Sequence, residues 1–337
     1  MNLKNIFKIF LAGCTAFLAI NIFCVFYYNI PVHITTKTGV TDYFFEPHAY
    51  YSKLTEGFGY GTMNNEGFNN VSDYNAQQID ILLAGSSHME GMNVPQQMTV
   101  VSILNNLFNG SKYVYNIGTS GHDFPHILNN LETAVHYYKP SEYVIIEVGS
   151  LQFDMQLLKE SIHGELKHLP SYDSTVMFFL QKIPYLRLLY SQYKGFTGKK
   201  SDEDRLQQSN SVYTSETYSI ILDKVMEKLK RISSEQDIKI IILYHPHLKL
   251  NNDGSVYEDT IYEYEKLFSD KCYNNGILFI NMSNIFVNAY NTNHILPHGF
   301  LNTSAGSGHL NKNGHRLIAD ELYRQIESEF IEKGDSI

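Results

Sequence analysis

The sequence predicts an α/β protein: a three-layer α/β/α sandwich with a five-stranded parallel sheet in the order 2-1-3-4-5, preceded by one N-terminal transmembrane helix. Three observations carry this. Five short apolar runs recur between residues 78 and 332, helix-length amphipathic stretches separate them, and residues 1–30 hold a long uncharged segment. Strands covered by helices on both faces read as continuous apolar runs, and alternation of strands with helices builds a parallel sheet.

Taken in chain order, the uncharged segment comes first. From Ile9 to Tyr28 no residue is charged, Lys4 and Lys8 precede it, and Tyr27 and Tyr28 close it. About 20 apolar residues cross a bilayer, and the flanking lysines put the N-terminus on the cytoplasmic side. The expected location is therefore the cell membrane, single-pass, with the C-terminal domain extracytoplasmic. Leu11-Ala12-Gly13-Cys14 is similar to a lipoprotein cleavage box, but the longer apolar stretch follows Cys14. A cleavable leader carries its apolar region before the cut, so the segment reads as an uncleaved anchor. Residues 31–77 are polar, aromatic and glycine-dotted without a sustained period, and read as a stalk or a strapping segment.

The predicted strands are 79–84, 112–117, 142–148, 238–244 and 277–281, each rich in Val, Ile or Tyr. Helical stretches are expected at 96–108, 124–138, 215–235, 257–275 and 312–332. Residues 152–214 separate the third and fourth strands by more than a crossover needs. They read as an insertion over the site, part lid and part mobile loop, ending in the polar run GKKSDEDRLQQSNS. The formal charge of -9 argues against a phosphate-tracking surface, so no nucleic-acid partner is expected. Of three cysteines, Cys14 and Cys24 lie in the apolar segment and Cys272 alone in the globular part, which leaves no internal disulfide framework there.

Active residues in such sheets gather beyond the carboxyl ends of the strands. The first strand runs into Gly85-Ser86-Ser87-His88, which places Ser87 at the mouth of the sheet. Backbone N–H groups of such a turn can face a developing oxyanion. Near the other end, Gly306-Ser307-Gly308-His309 precedes the last helix, so His309 is a loop histidine able to activate a serine as general base. His315, inside that helix, reads as a packed or surface histidine.

These blocks resemble the SGNH, or GDSL-like, hydrolase superfamily over about residues 78–330. The family's Gly-Asp-Ser-x-x-x-Gly appears as Gly85-Ser86-Ser87-His88-Met89-Glu90-Gly91. Its Asn-x-Gly-x-x-Gly appears as Asn116-Ile117-Gly118-Thr119-Ser120-Gly121, and its last block matches at His309, Asn311, Gly314 and His315. The resemblance implies Ser87 as nucleophile, His309 as base and the Gly121 N–H in the oxyanion hole, with no cofactor and no metal.

Two positions depart from the pattern. The third block, Gly-x-Asn-Asp, reads Gly149-Ser150-Leu151-Gln152, so the asparagine donor is lost, a change worth about 3–4 kcal/mol of transition-state stabilisation. Gln152 could replace it if the loop is kinked. The aspartate three residues before the histidine is Gly306, so His309 needs another orienting group: a carbonyl, or a carboxylate such as Glu147 or Asp154. A membrane-anchored member with such blocks resembles the O-acylation branch of the superfamily. That branch implies acyl transfer or ester hydrolysis on an envelope polysaccharide or other acylated polymer, beside a multispanning membrane acyltransferase as partner.

Two rival readings follow from the same residues. The departures would suit a catalytically impaired domain that binds glycan or scaffolds a membrane acyltransferase. His245-Pro246-His247 ends the fourth strand, and with His294, His298 and His309 it raises a His-based metal-dependent hydrolase. No carboxylate or cysteine completes a recognisable ligand motif there, so His245 and His247 are expected to line the pocket.

Overall fold

The computed structural model describes residues 2–35, 39–74, 78–166, 182–197, 215–258 and 260–334. The central sheet has β6 (Ile81–Ala84), β7 (Val114–Asn116), β8 (Tyr143–Val148), β9 (Lys239–Tyr244) and β12 (Leu278–Asn281). Their spatial order is β12-β9-β8-β6-β7 and every pairing is parallel. This is the order 2-1-3-4-5 that the sequence predicts.

Alternate residues of each strand face opposite layers. Leu82, Ala84, Val144, Ile146, Ile240 and Ile242 join one core cluster. On that side lie α4 (Phe124–Tyr138), α5 (Met155–His163), α7 (Ser215–Gln236) and α8 (Tyr262–Asn274). Ile81, Leu83, Ile145, Ile241, Leu243 and Ile280 face the other cluster, with α3 (Val100–Phe108), α9 (Ser283–Asn293) and α10 (Lys312–Gly334). Burying a side chain of this size contributes about 1.5–3 kcal/mol, which is why uninterrupted apolar strands specify a two-sided sheet.

Two expectations shift. The stretch 257–275 opens not as helix but as β11 (Val256–Glu258), which pairs antiparallel with β10 (Leu248–Leu250) before α8 begins. The helix α9 lies in a region from which no helix was expected.

Helix α1 (Leu3–Tyr27) is long and apolar enough to cross a membrane. Leu3 to Ile20 are all exposed, whereas Cys24 is buried and Asn21, Val25 and Tyr27 are half-buried. The last two turns of α1 thus belong to the globular unit. They run directly into β1 (Tyr28–Asn29), which pairs antiparallel with β4 (Tyr50–Lys53), and β4 pairs with β5 (Gly59–Thr62). With β2 (His33–Thr35) and β3 (Tyr43–Phe45), these short strands strap residues 39–74 onto the domain around a small core of Phe45, Tyr51, Met63 and Met92.

Of the 152–214 insertion, α5 packs on α4 and α7, while α6 (Pro184–Thr197) packs along α1. The Tyr185 N–H donates to Asn21 Oδ1 at 3.2 Å, and the Tyr185 ring meets Phe17 edge-on. The polar run at 198–211, expected to be a mobile loop, lies outside the described residues.

Candidate active site

Strand β6 delivers its chain to Gly85, and Ser86 caps the single helical turn α2 (Ser87–Glu90), its Oγ accepting the His88 N–H. The cap satisfies one of the turn's free donors and leaves the first residue, Ser87, at the mouth of the sheet. Ser87 is half-buried. Its Oγ lies 2.9 Å from His309 Nε2, across 222 residues of sequence.

The opposite nitrogen of that imidazole meets a carboxylate from the strap. His309 Nδ1 is 2.8 Å from both Glu56 oxygens, and the His309 backbone N–H donates to Glu56 Oε1 at 2.7 Å. A carboxylate accepts only, so Nδ1 carries the proton and Nε2 faces Ser87 with its lone pair. Burial pushes the Glu56 carboxyl up, but the bonds and charge of His309, with Lys53 behind, outweigh it and hold it at about 2.

Glycine makes this approach feasible. A Cβ on Gly308, whose φ is +96°, would lie 2.4 Å from Glu56 Oε1. One on Gly57 would lie 2.4 Å from the Asn93 carbonyl oxygen.

Neither carboxylate expected to orient His309 does so. Glu147, buried at the end of β8, is 2.6 Å from His245 Nε2 and accepts the Ser86 N–H at 2.6 Å. Burial raises its carboxyl, yet these partners hold it below the usual range. Asp154 caps α5, accepting the N–H groups of Gln156 and Leu157. Glu147 instead ties β9 to the turn bearing Ser87. Removing one partner of a buried pair costs about 3–5 kcal/mol. We expect Glu147→Ala to lower the denaturant midpoint accordingly, with activity lost in step with folding; lost turnover at unchanged stability would point to a direct part in orienting His309.

The loop after β7 is held against α2. Asn116 Nδ2 donates to the Met89 carbonyl, the Thr119 N–H to the Gly85 carbonyl, and the Ser120 hydroxyl and N–H to the buried Glu90 carboxylate. Gly121 follows with φ +84°. Among the described residues the N–H groups of Ser87 and Gly121 have no hydrogen-bond acceptor, as oxyanion donors awaiting substrate require. Leu151 turns into the core, and Gln152 is exposed, its backbone N–H bound to Ser150 Oγ.

His88, His245, His247 and His298 form one aromatic group, whereas His294, raised with them as a metal candidate, packs edge-on against Tyr290. His245 and His298 are buried, His247 stacks on His298 at 4.1 Å between centroids, and His88 lies 4.9 Å from His245 and 5.1 Å from His309. Burial and the neighbouring imidazoles push His88 and His298 well below the ordinary value, so both are neutral. Ring nitrogens of His88, His245 and His298 come within 4.8 Å of one another. However, His88 Nδ1 accepts the Leu310 N–H at 3.1 Å, which uses its lone pair and leaves the proton on Nε2. His88 therefore cannot ligate a metal without breaking the bond that holds the residue after His309. His309 is committed to Ser87 and Glu56. His315 is buried, its Nδ1 accepts the Val100 N–H, and burial takes it down to about 3, so it is a packing residue.

Sequence reasoning missed Glu56. Its only signal was the pair Gly57 and Gly59 behind a lone carboxylate, a hint of close backbone approach in a segment without periodicity.

No family model matches the sequence, and no curated protein matches it. Among solved structures, the chain is similar to an acetyl xylan esterase, AlAXEase, at 13% identity and a TM-score of 0.43, covering 74% of this chain and 100% of that one. It is similar to the lipase/acylhydrolase from Enterococcus faecalis at 16% identity and 0.43, covering 75% and 97%. It is similar to the psychrotrophic esterase EstA from Pseudoalteromonas sp. at 15% identity and 0.40, covering 74% and 97%. The functional reading below rests on the chain's own geometry.

Proposed function

We propose that this chain is a serine-dependent acyl-transfer or ester-hydrolysing enzyme of SGNH type, anchored in the membrane by α1 and acting on an acylated cell-envelope polymer. The observation that carries it is the relay Ser87 Oγ to His309 Nε2, and His309 Nδ1 to Glu56. As Ser87 Oγ attacks an ester carbonyl, its proton passes to His309 Nε2, and Glu56 balances the imidazolium. The oxyanion is received by the Ser87 and Gly121 N–H groups. When the carbon–oxygen bond to the leaving group breaks, His309 returns the proton to that oxygen. A water or a sugar hydroxyl then gives its proton to His309 as its oxygen attacks the acyl carbonyl, and His309 passes that proton to Ser87 Oγ as the bond from Ser87 to the acyl carbon breaks.

A multispanning acyltransferase as acyl donor and an envelope polysaccharide as acceptor belong to the same proposal, supported by the anchor. The binding-only reading draws on Leu151 standing where a third oxyanion donor would be. The assembled relay weighs against it, because a serine, a histidine and a carboxylate aligned at hydrogen-bond distance are what acyl transfer needs and glycan binding does not.

The test is to trap an acyl-enzyme. With an activated acetyl ester and rapid quenching, intact mass should rise by one acetyl group and peptide mapping should place it on Ser87. Adding glycan acceptors then asks whether a hydroxyl discharges it faster than water. No adduct on Ser87 under any acyl donor would leave the binding-only reading.

A further inference from the structure

The chain of contacts from α1 to the catalytic relay is short. Tyr28, the residue after α1, pairs with Lys53, and the Leu54 N–H donates to the carbonyl of Tyr27, the last residue of α1. Asn302 Nδ2 donates to the Leu54 carbonyl, and the Gly57 N–H donates to Asn302 Oδ1. Glu56, which holds His309, lies between Leu54 and Gly57. The mouth of the site is therefore built on the residues where the apolar helix ends.

Large apolar side chains stand free on this rim. Leu301, beside Asn302, is 109% exposed, and Phe58, beside Gly57, is 58% exposed and paired edge-on with half-exposed Tyr60. Next to the same end of α1, α6 leaves Leu189 and Tyr193 exposed. Single exposed apolar residues are ordinary on any surface. Here they are continuous with a helix whose exposed apolar side chains run from Ile9 to Phe26, beyond Lys4 and Lys8, about 27 Å at 1.5 Å per residue and close to the thickness of a bilayer's hydrocarbon. Aromatic and aliphatic side chains at that level sit in the boundary between headgroups and acyl chains.

We propose that the mouth of the site rests on the membrane surface, with Leu301 and Phe58 seated in lipid. This rests on α1 spanning the membrane and on the serine-ester reading above. An acyl group handed over at the bilayer by the multispanning partner would then reach Ser87 without crossing bulk water.

The chain has no tryptophan, so a substituted one reports alone. Leu301→Trp and Phe58→Trp variants of the full chain would be placed in phosphatidylcholine nanodiscs with acyl chains brominated near the headgroup. Leu11→Trp reports the helix itself, and Tyr273→Trp, at a position 84% exposed on α8, reports bulk water. The expected result is loss of most emission at 301 and 58 to bromolipid, with protection from aqueous iodide relative to 273. Emission at 301 and 58 that follows 273 overturns the proposal; a protein partner over this rim would then be its alternative occupant. An unquenched Trp at 11 removes the anchor and the proposal with it. Hydrolysis of a soluble aryl ester by the same nanodiscs, against Ser87→Ala, tests the serine reading separately. Its failure beside quenched positions 301 and 58 leaves the lipid contact standing and counts against the serine reading alone.

Discussion

Ser87→Ala is expected to lower turnover of an activated ester by on the order of 10⁵–10⁶-fold, with folding unchanged. The large effect follows from the relay acting as a unit: without Oγ, His309 has no proton to take and Glu56 no imidazolium to balance. The small effect on stability follows from the division of labour between neighbouring serines. Ser86, not Ser87, caps α2 by accepting the His88 N–H, and Ser86 also donates its N–H to Glu147. Alanine at the first position of a helical turn keeps the backbone geometry. Steady-state rates and thermal unfolding of the same preparation check both halves. A variant that keeps turnover while Ser87 cannot be acylated would end the nucleophile assignment. Ser86→Ala provides a contrast: it removes the cap, a loss of about 1 kcal/mol, while leaving the nucleophile in place.

The sheet could be read from the sequence because its strands are covered on both faces, β6, β7 and β8 completely. Runs such as Tyr143-Val144-Ile145-Ile146 are apolar without alternation, a local signature that needs no knowledge of partners. Ser87 could be read because it sits at a junction of strand and helix, and His309 because it precedes a helix, each marked by glycines. Glu56 could not. It lies 253 residues from the histidine it holds, on a loop between β4 and β5, strands of four residues each whose pairing is fixed by the end of α1 rather than by their own pattern. The absence of an aspartate at Gly306 announced that a carboxylate must come from elsewhere, but a missing residue does not say where. The charged residues of strand ends, Glu147 among them, were nearer in the sheet and equally acidic. What separates them is that Glu147 already satisfies His245 and the Ser86 N–H, which only three-dimensional pairing reveals. The hairpin β10–β11 was hidden for a similar reason, since its three-residue strands are set by each other.

Glu56→Gln is the second large effect expected, a fall in kcat of on the order of 10³–10⁴-fold, smaller than that of Ser87→Ala. Glutamine can present an oxygen or an amide to Nδ1, but it has no charge to balance the imidazolium, and its amide can hold the wrong tautomer with the proton facing Ser87. KM should change little, because Glu56 acts through His309, on the face of the ring away from Ser87. A pH experiment separates this role from packing. The carboxyl of Glu56 is held at about 2 against an ordinary 4.5, so the folded state favours its charged form. A depressed carboxyl contributes stability that is fully present above about pH 4.5 and is lost as pH falls through about 2. The wild-type advantage in unfolding midpoint over Glu56→Gln should therefore hold constant above about pH 5 and narrow between about 4.5 and 2. The advantage in kcat should persist over the whole range above pH 5, since Glu56 does not titrate there. A kcat ratio that collapsed near pH 4.5, or a variant with wild-type kcat, would show that His309 is oriented by something other than the strap's carboxylate.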